Sequence, residues 1–378
     1  MSVFVLDALR TPVATSYGVY NATTVKHLAS PVIKALMHNN NLAVADVDFL
    51  MMGNALGCGG NPARLVALES GLSEMTTALT IDTACNSGID AAILAADKIR
   101  LGEADVIIAG GAESYSRRPI KSYRPIDVEQ TPIPYERPAY TPWRAADPDM
   151  CDIAENFAKD FGISLSAQRQ WVEESYRKAE ASRDKMVNEC VPIQKYDSAI
   201  EHHDLALETD SFDVNSSQDV NNLSHIDLLT EAKFADGAGF LVLVSDRWLK
   251  RHERNAAIEV SAYTSLGSAA NEPVWASIDA CRSVMKKIEL VSDDFSVIEM
   301  RESFAVEGII NANELGFPLD RINKGGSGLA RGNPAGAASA ILLVRLFHEL
   351  CEQKSQSRGI ALSAAAGGLG AAMVFQSL

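Results

Sequence analysis

The sequence predicts an α/β protein made of two similar halves, with a large insertion in the first, and three features carry that reading. Short apolar runs rich in β-branched residues alternate with stretches of helical period at both ends of the chain. The two ends also echo each other. ACNSGIDAAILAADKI, from Ala84 to Ile99, and GNPAGAASAILLVRLF, from Gly332 to Phe347, each read as a small-residue turn opening an apolar helix, followed by a strand and a Gly-Gly pair. Such a weak internal repeat points to a pseudo-twofold of two α/β halves. Between them, from about residue 116 to 228, the periodicity gives way to prolines, aromatics and charges, as an inserted loop region would.

In chain order, Val3 to Asp7 reads as a strand that Arg10-Thr11-Pro12 ends. A helix is predicted from Thr24 to Met37 and a strand from Phe49 to Gly53. Leu79 to Asp82 reads as a short strand running into Thr83-Ala84-Cys85. Beyond it Ile89, Ala92, Ile93, Ala96 and Ile99 recur at helical spacing, so one face is buried. Val106 to Ala109, closed by Gly110 and Gly111, suits a strand covered on both faces. The insertion holds two amphipathic helices, near Cys151 to Phe161 and Ser166 to Asn188. Alternation resumes at Gly239 to Val244. A strand (Ile258 to Ala262), a helix (Val274 to Lys287), a strand (Ser296 to Met300), a helix from near Asn333 and a strand (Gly359 to Ser363) complete the second half. The divisions are therefore 1–115 and 229–252 for the first half, 116–228 for the insertion, and 253–378 for the second half.

Composition narrows the function. The 378 residues are 47% hydrophobic and 22% charged, the balance of a globular protein. A net charge of -15 repels a phosphate backbone and argues against nucleic-acid binding. It leaves room for a phosphorylated small molecule on a local basic group, for which Arg117, Arg118, Lys121 and Arg124 are candidates if they are not simply a solvated loop. No apolar run reaches the roughly 20 residues needed to span a bilayer, and the first residues do not read as a signal peptide, so a cytoplasmic protein is expected. The six cysteines (Cys58, Cys85, Cys151, Cys190, Cys281, Cys351) include no CxxC pair, which argues against a zinc site, a redox pair or a disulfide framework. Five of them are expected to be small buried apolar residues.

Cys85 is the exception. A thiol between a strand and a helix start feels the positive end of the helix dipole and its unpaired N–H groups. Those same groups can receive oxyanion charge, and Gly88 would let another chain or a ligand approach. A cysteine ahead of a helix can equally be structural.

The motifs LDALRTPVA, MGNALGCGGNPARLVALESG, DTACNSGIDAA, IIAGGAESYSRRP, AENFAKDFGISLSAQRQWVEESYRKA, DGAGFLVLVSD, ESFA, GGSGLARGNPAGAASA and AAAGGLGAAM occur in an order and spacing that resemble the thiolase superfamily over essentially the whole chain. The resemblance implies a thiolase fold: two pseudo-symmetric α/β halves in a five-layer αβαβα arrangement with an inserted loop domain. It makes Cys85 the acyl-accepting nucleophile and a coenzyme A thioester, or a carrier-bound one, the substrate, with no permanently bound cofactor and no metal. It also implies a homodimer or homotetramer joined through the first half, with a heteromeric partner as an alternative.

The rest of the resembling site departs from the pattern. The Gly-His-Pro motif reads Gly332-Asn333-Pro334, the Asn-Glu-Ala-Phe motif reads Arg301-Glu302-Ser303-Phe304, and the second cysteine ahead of the glycine run is Ala364. A further histidine near the acyl site aligns with Asp149. Ala364 can take no α-proton, and neighbouring Ser363 is too weakly basic unaided. Asn333 can donate to an oxyanion but cannot accept a thiol proton as imidazole does; it can also be read as the N-cap of the last long helix, with Pro334 at N1. Arg301 could favour thiolate at Cys85 or form an ion pair with Glu302 or Glu113. Glu302 would serve as base only if burial raised its pKa. The backbone N–H groups of Cys85 and Ala366 are the oxyanion donors the resemblance implies. Three readings follow: an acyltransferase working through Cys85, a degenerate subunit with a structural or regulatory role, and a conventional acetyl-CoA C-acyltransferase with a non-standard base.

Overall fold

The computed structural model describes residues 1–57, 59–127, 129–135, 137–143, 147, 149–194, 200–201, 204, 225–256 and 258–378. Cys58 and the pair His202-His203 lie outside the described residues.

The first half contributes strands β1 (Val3–Arg10), β2 (Phe49–Gly53), β3 (Thr77–Ile81), β4 (Val106–Ser114) and β5 (Ala235–Ser245). The second contributes β6 (Ile258–Gly267), β7 (Phe295–Met300), β8 (Arg358–Ala365) and β9 (Leu369–Ser377). In space the order is β3-β2-β4-β5-β1 and then β6-β9-β8-β7, joined where Phe4 and Val5 of β1 meet Glu259 and Ile258 of β6. Each half repeats one pattern. β2 pairs parallel with β4, and β4-β5 and β5-β1 are antiparallel; likewise β7 pairs parallel with β8, and β8-β9 and β9-β6 are antiparallel. The repeat read from the two helix-opening motifs is thus a repeat of sheet topology. Only β3, at the free edge of the first half, has no counterpart strand among the described residues of the second.

Alternation along the strands builds the layers. Met51, Ile107, Ala109, Ala361, Ala371, Met373 and Phe375 face a central core, while Leu50, Met52 and Ile108 face an outer core of the first half, and Ile360, Leu362, Ala372 and Val374 one of the second. Helices α1 (Val25–Asn39) and α2 (Pro62–Glu69) cover the first outer face. Later in the chain come α3 (Ser87–Arg100), then α4 (Met150–Asp160) and α5 (Leu165–Ala181) of the insertion. Helices α6 (Pro273–Lys287) and α7 (Ala305–Leu315) cover the second outer face, and α8 (Ala335–Cys351) pairs with α3 in the centre. This is the αβαβα stack that the resemblance implies. Strands buried on both faces explain the continuous apolar runs at Val106 to Ala109 and Gly239 to Val244.

The central helices touch where side chains are missing. A Cβ on Gly88 would stand 2.5 Å from the Ala340 nitrogen of α8, so the partner Gly88 admits is the other half of the same chain and not a ligand or second subunit. Gly88→Ala is expected to cost at least about 2 kcal/mol, because a backbone atom cannot retreat as a side chain can; urea denaturation of the purified variant would measure it.

The insertion is tied to both halves by buried charge. Arg10 at the end of β1 bonds Glu189 through Nε at 2.6 Å and Asp204 through Nη1 at 2.6 Å, and Glu189 also takes Arg345 Nη1 of α8 at 2.5 Å. Among the described residues, no helix is long and apolar enough to cross a membrane.

Candidate active site

The thiol loop runs from Asp82 to Asn86, between β3 and α3. Ala84 takes φ +52°, a left-handed conformation that costs a residue with a Cβ on the order of 1 kcal/mol or more. Local bonds hold it there. Thr83 N donates to Ser87 Oγ (2.9 Å), Ser87 Oγ donates to the Ala84 carbonyl (2.6 Å), Ala84 N donates to Asp82 Oδ1 (3.0 Å), and Thr83 Oγ1 donates to Asp90 Oδ2 (2.6 Å). The second half braces the loop from across the central layer, where Ser339 Oγ of α8 donates to the Cys85 carbonyl at 2.8 Å and accepts from Ile89 N. Cys85 is half-buried. It does not open the helix, as the sequence suggested: α3 starts at Ser87 with Asn86 as N-cap, so the thiol sits just ahead of the cap on the strained turn. The Asn86 side chain is fully buried, and its amide nitrogen and oxygen have no hydrogen-bond partner among the described residues.

Burial, followed by the charges of Glu231 and Asp149, pushes the Cys151 thiol up to about 12, and burial, then Asp7 and Glu352, pushes Cys351 up to about 11. Burial also raises Cys190 and Cys281. Cys351 is exposed, contrary to the expectation that every cysteine but Cys85 is buried, and Cys151 and Cys190 are only half-buried.

Two further loops meet a common strand. The chain returning from the insertion into β5 pairs with both: Ala232 N donates to the Ser303 carbonyl (2.8 Å), Asn333 N donates to the Lys233 carbonyl (2.8 Å), and Ala235 N donates to the Asn333 carbonyl (3.2 Å). Ser303 and Asn333 therefore stand side by side, with Asn333 Nδ2 placed 3.2 Å from Ser303 Oγ. Asn333 is not the helix N-cap. Pro334 holds that position, and no side chain caps α8, so the amide is left for other work. Its Oδ1 is buried and has no partner among the described residues.

Arg301 makes neither ion pair that the sequence offered. Its Nε and Nη2 donate to the Ala364 carbonyl at 2.9 and 2.6 Å, and its Nη1 donates to Ser303 Oγ. Glu113 instead accepts from Asn54 Nδ2 (2.7 Å), Ala55 N (2.8 Å) and Gly336 N (3.1 Å), fastening the start of α8 to the end of β4. Burial raises it to about 7 despite those donors. The guanidinium, itself buried, thus lies across the carbonyl of the residue that aligns with the second cysteine.

Ala366 opens the turn between β8 and β9, where Gly367 and Gly368 take φ +83° and +75°. A Cβ on Gly367 would stand 3.5 Å from the Tyr140 carbonyl. The Tyr140 phenol is raised first by burial and then by Cys85, so this turn and the thiol share Tyr140 as a neighbour. Asp149 is spoken for: it N-caps α4 by accepting from Cys151 N at 3.0 Å. Arg118 and Lys121 line a cavity of about 450 Å³ that also reaches Ala84 and Tyr140, beside the thiol loop.

Glu302 turns its carboxylate toward α5, while also lining a small cavity with Arg301 and Asn333. Its carboxylate accepts from Trp171 Nε1 of α5 at 2.9 Å and from Ser327, on the wall of a separate cavity of about 740 Å³ between α5 and residues 319–327. The room it occupies is left by Gly308, whose Cβ would come within 2.1 Å of Glu302 Oε1. Burial raises its pKa to about 7, the condition for a base, although its Oε1 is bonded to Trp171. A carboxyl raised in the folded state contributes stability that is present below its unfolded value of roughly 4.3 and lost as pH rises through about 7. Glu302→Gln carries no such charge. It should gain stability over the wild type as pH rises from about 4.5 to about 7 in urea titrations and hold that gain above, with an unchanged rate of acylation at Cys85.

A sheet order repeated in two halves around two glycine-packed central helices, with a thiol loop at the end of one of them, defines a thiolase-type architecture. The family models agree: the thiolase N-terminal domain matches residues 3–246 and the thiolase C-terminal domain residues 255–377. The chain is 30% identical to the putative acetyl-CoA C-acetyltransferase YhfS of Bacillus subtilis and 27% identical to an acetyl-CoA acetyltransferase of Thiocystis violacea, covering 100% of this chain in both and 100% and 99% of those proteins. In fold it is similar to the Acat5 thiolase of Ascaris suum, solved in complex with coenzyme A (TM-score 0.89, 24% identity, 100% of both chains). It is equally similar to the Bacillus anthracis acetyl-CoA acetyltransferase (TM-score 0.90, 24% identity, 100% of this chain and 99% of that one). The chain belongs to the thiolase family and is an acyltransferase of that superfamily. Thiolases use coenzyme A thioesters as substrates and need no permanent cofactor.

Proposed function

We propose that Cys85 Sγ accepts an acyl group from a coenzyme A thioester and passes it to an acceptor. The observation that carries this reading is the thiol loop itself: a half-buried cysteine on a strained turn, braced by Ser339 of the opposite half. Strain at a turn persists only where the surroundings impose it, and such turns cluster at reacting groups. The thiolate attacks the thioester carbon, the bond to the coenzyme A sulfur breaks, and that sulfur leaves as thiolate. The oxyanion formed on the way is received by the backbone N–H groups of Cys85 and Ala366 and by the Asn333 amide. Arg301 brings a permanent positive charge to the Ala364 carbonyl, which favours the anionic states of the reaction.

Proton abstraction from a second, unactivated acyl thioester has no such support. Ala364 has no basic side chain, and the Glu302 carboxylate is taken up by Trp171 and Ser327. Transfer to a nucleophile or to a pre-activated carbanion donor needs no such base and is the reading adopted. The names of the relatives make acetyl-CoA the first donor to try and give the degenerate-subunit alternative no support. The open edge of β3, where Leu79 is exposed, supports association of the first halves into a dimer.

The test is intact-mass analysis after incubation with acetyl-CoA, longer acyl-CoAs and an acyl-carrier thioester. A Cys85 adduct is expected, with acetoacetyl-CoA formation from acetyl-CoA at least about a hundredfold slower than adduct formation. No adduct with any donor would sink the proposal, and release of a 3-ketoacyl product at the acylation rate would restore conventional condensation.

A further inference from the structure

We infer that Ser303 is a positioning residue that turns the Asn333 amide so that its N–H₂ group, and not its oxygen, meets the reacting carbonyl. The inference rests on the acyltransferase reading above and concerns a residue that the sequence motif alone left unremarked.

The arrangement starts from Arg301. Two of its nitrogens are committed to the Ala364 carbonyl, at 2.9 and 2.6 Å, which fixes the guanidinium plane and points Nη1 at Ser303 Oγ. A guanidinium only donates, so Ser303 Oγ must accept on that side. The Asn333 amide stands 3.2 Å from the same oxygen. The amide's oxygen and nitrogen are told apart only by the bonds they make. With Nδ2 toward Ser303, the hydroxyl receives two N–H groups, its own proton has no partner among the described residues, and Asn333 Oδ1 is left buried and unpaired. Reversing the amide lets Ser303 donate its proton to the Asn333 oxygen and leaves the N–H₂ group as the buried, unpaired one.

The chemical consequence lies in the group left over. In the first orientation it is an acceptor, which would repel an oxyanion. In the second it is an N–H₂ donor, whose natural partner is a thioester oxygen gaining negative charge. The backbone on both sides is already fixed. Ser303 N donates to Glu307 Oε2 at 2.9 Å and its carbonyl accepts from Ala232, while Asn333 is bonded through both its N–H and its carbonyl. Only the amide's half-turn remains to be decided, and the Arg301–Ser303 pair decides it. An arginine and a serine in these two positions thereby let an asparagine supply the oxyanion contact.

The experiment compares Ser303→Ala, Ser303→Thr, Asn333→Ala and Cys85→Ala by single-turnover acylation with acetyl-CoA. It also records infrared spectra of the acyl-enzyme carbonyl made from carbonyl-labelled donor. Ser303→Ala keeps both backbone bonds and should fold, which its melting temperature checks. The expected result is a fall in acylation rate of about tenfold or more with little change in half-saturating donor concentration, a carbonyl band shifted to higher frequency toward that of Asn333→Ala, and recovery of most of the rate in Ser303→Thr. If Asn333→Ala is slow but Ser303→Ala acylates and absorbs like the wild type, Ser303 does not orient the amide and this inference alone falls. Equal losses in Ser303→Ala and Ser303→Thr would overturn it as well. If Asn333→Ala is as fast as the wild type, the Asn333 oxyanion contact falls and takes this inference with it. An adduct that survives in Cys85→Ala would overturn the acyltransferase reading itself.

Discussion

Cys85→Ala should abolish the acyl adduct and reduce transfer by about 10⁴-fold or more, since no second nucleophile can take over the covalent step. The described cysteines with raised pKa values, Cys151, Cys190, Cys281 and Cys351, carry little thiolate at neutral pH, so label should not migrate to them. The fold should survive, because the braces on the loop come from Ser87, Asp82 and Ser339 and not from the thiol. Stability is expected to change by no more than about 1 kcal/mol. Cys85→Ser sharpens the test. A hydroxyl needs a strong neighbouring base, and Asn333 has none to offer. The serine variant should therefore be as inactive as alanine, whereas an imidazole at position 333 would leave a measurable serine rate. Intact mass over a time course of acetyl-CoA incubation reads both variants.

The largest effect on stability is expected from Glu189→Ala. Its two oxygens hold Arg10 Nε at 2.6 Å and Arg345 Nη1 at 2.5 Å, and all three side chains are at most 1% exposed. Arg345 is also held by Glu349 and Arg10 by Asp204, so each guanidinium would keep one partner and lose another. Breaking a buried pair from one side costs about 3–5 kcal/mol, because the surviving charge is left desolvated. That is a large share of a typical folding free energy of about 5–15 kcal/mol. The pH dependence has a definite sign. Burial by itself would raise the Glu189 carboxyl, but Arg345 and Arg10 outweigh it and hold the group well below the usual carboxylate range. A depressed carboxyl contributes stability that is present above its unfolded value of roughly 4.3 and lost as pH falls through the folded one. The gap between wild type and Glu189→Ala in urea denaturation should therefore be full at neutral pH and narrow in acid. A gap that widened in acid would contradict this account.

Much of the fold could be read from local pattern. The helices at Val25–Asn39, Met150–Asp160 and Pro273–Lys287 fall within two residues of the stretches that apolar spacing marks, since spacing of 3.6 is a property of a short window. Three of the elements labelled above escaped that reading. The α2 helix is only eight residues long, although Asn61-Pro62 is a cap followed by a first-turn proline. The α7 helix follows the Arg301–Phe304 loop with little polar contrast, because much of it is buried. The β9 strand runs through Gly370, Ala371 and Ala372, whose small side chains carry little strand preference; pairing with both β6 and β8 makes it a strand.

At the site, sequence and structure divide along physical lines. Cys85 as the candidate nucleophile, the absence of a basic side chain at Ala364, and the presence of Asn333 and Arg301 are matters of residue identity, and the sequence by itself determined them. Direction belongs to tertiary structure. Glu302 and Arg301 are neighbours in the chain, yet one reaches Trp171 through the gap at Gly308 and the other folds over the Ala364 carbonyl. Asn333 looks like a helix cap in one dimension, but the returning strand at Ala232 to Ala235 places it beside Ser303 instead. These outcomes depend on packing between segments far apart in the chain, which no local pattern of residues encodes. That is why the candidate nucleophile could be read from the sequence, while the directions taken by Arg301, Glu302 and Asn333 emerged only from the fold.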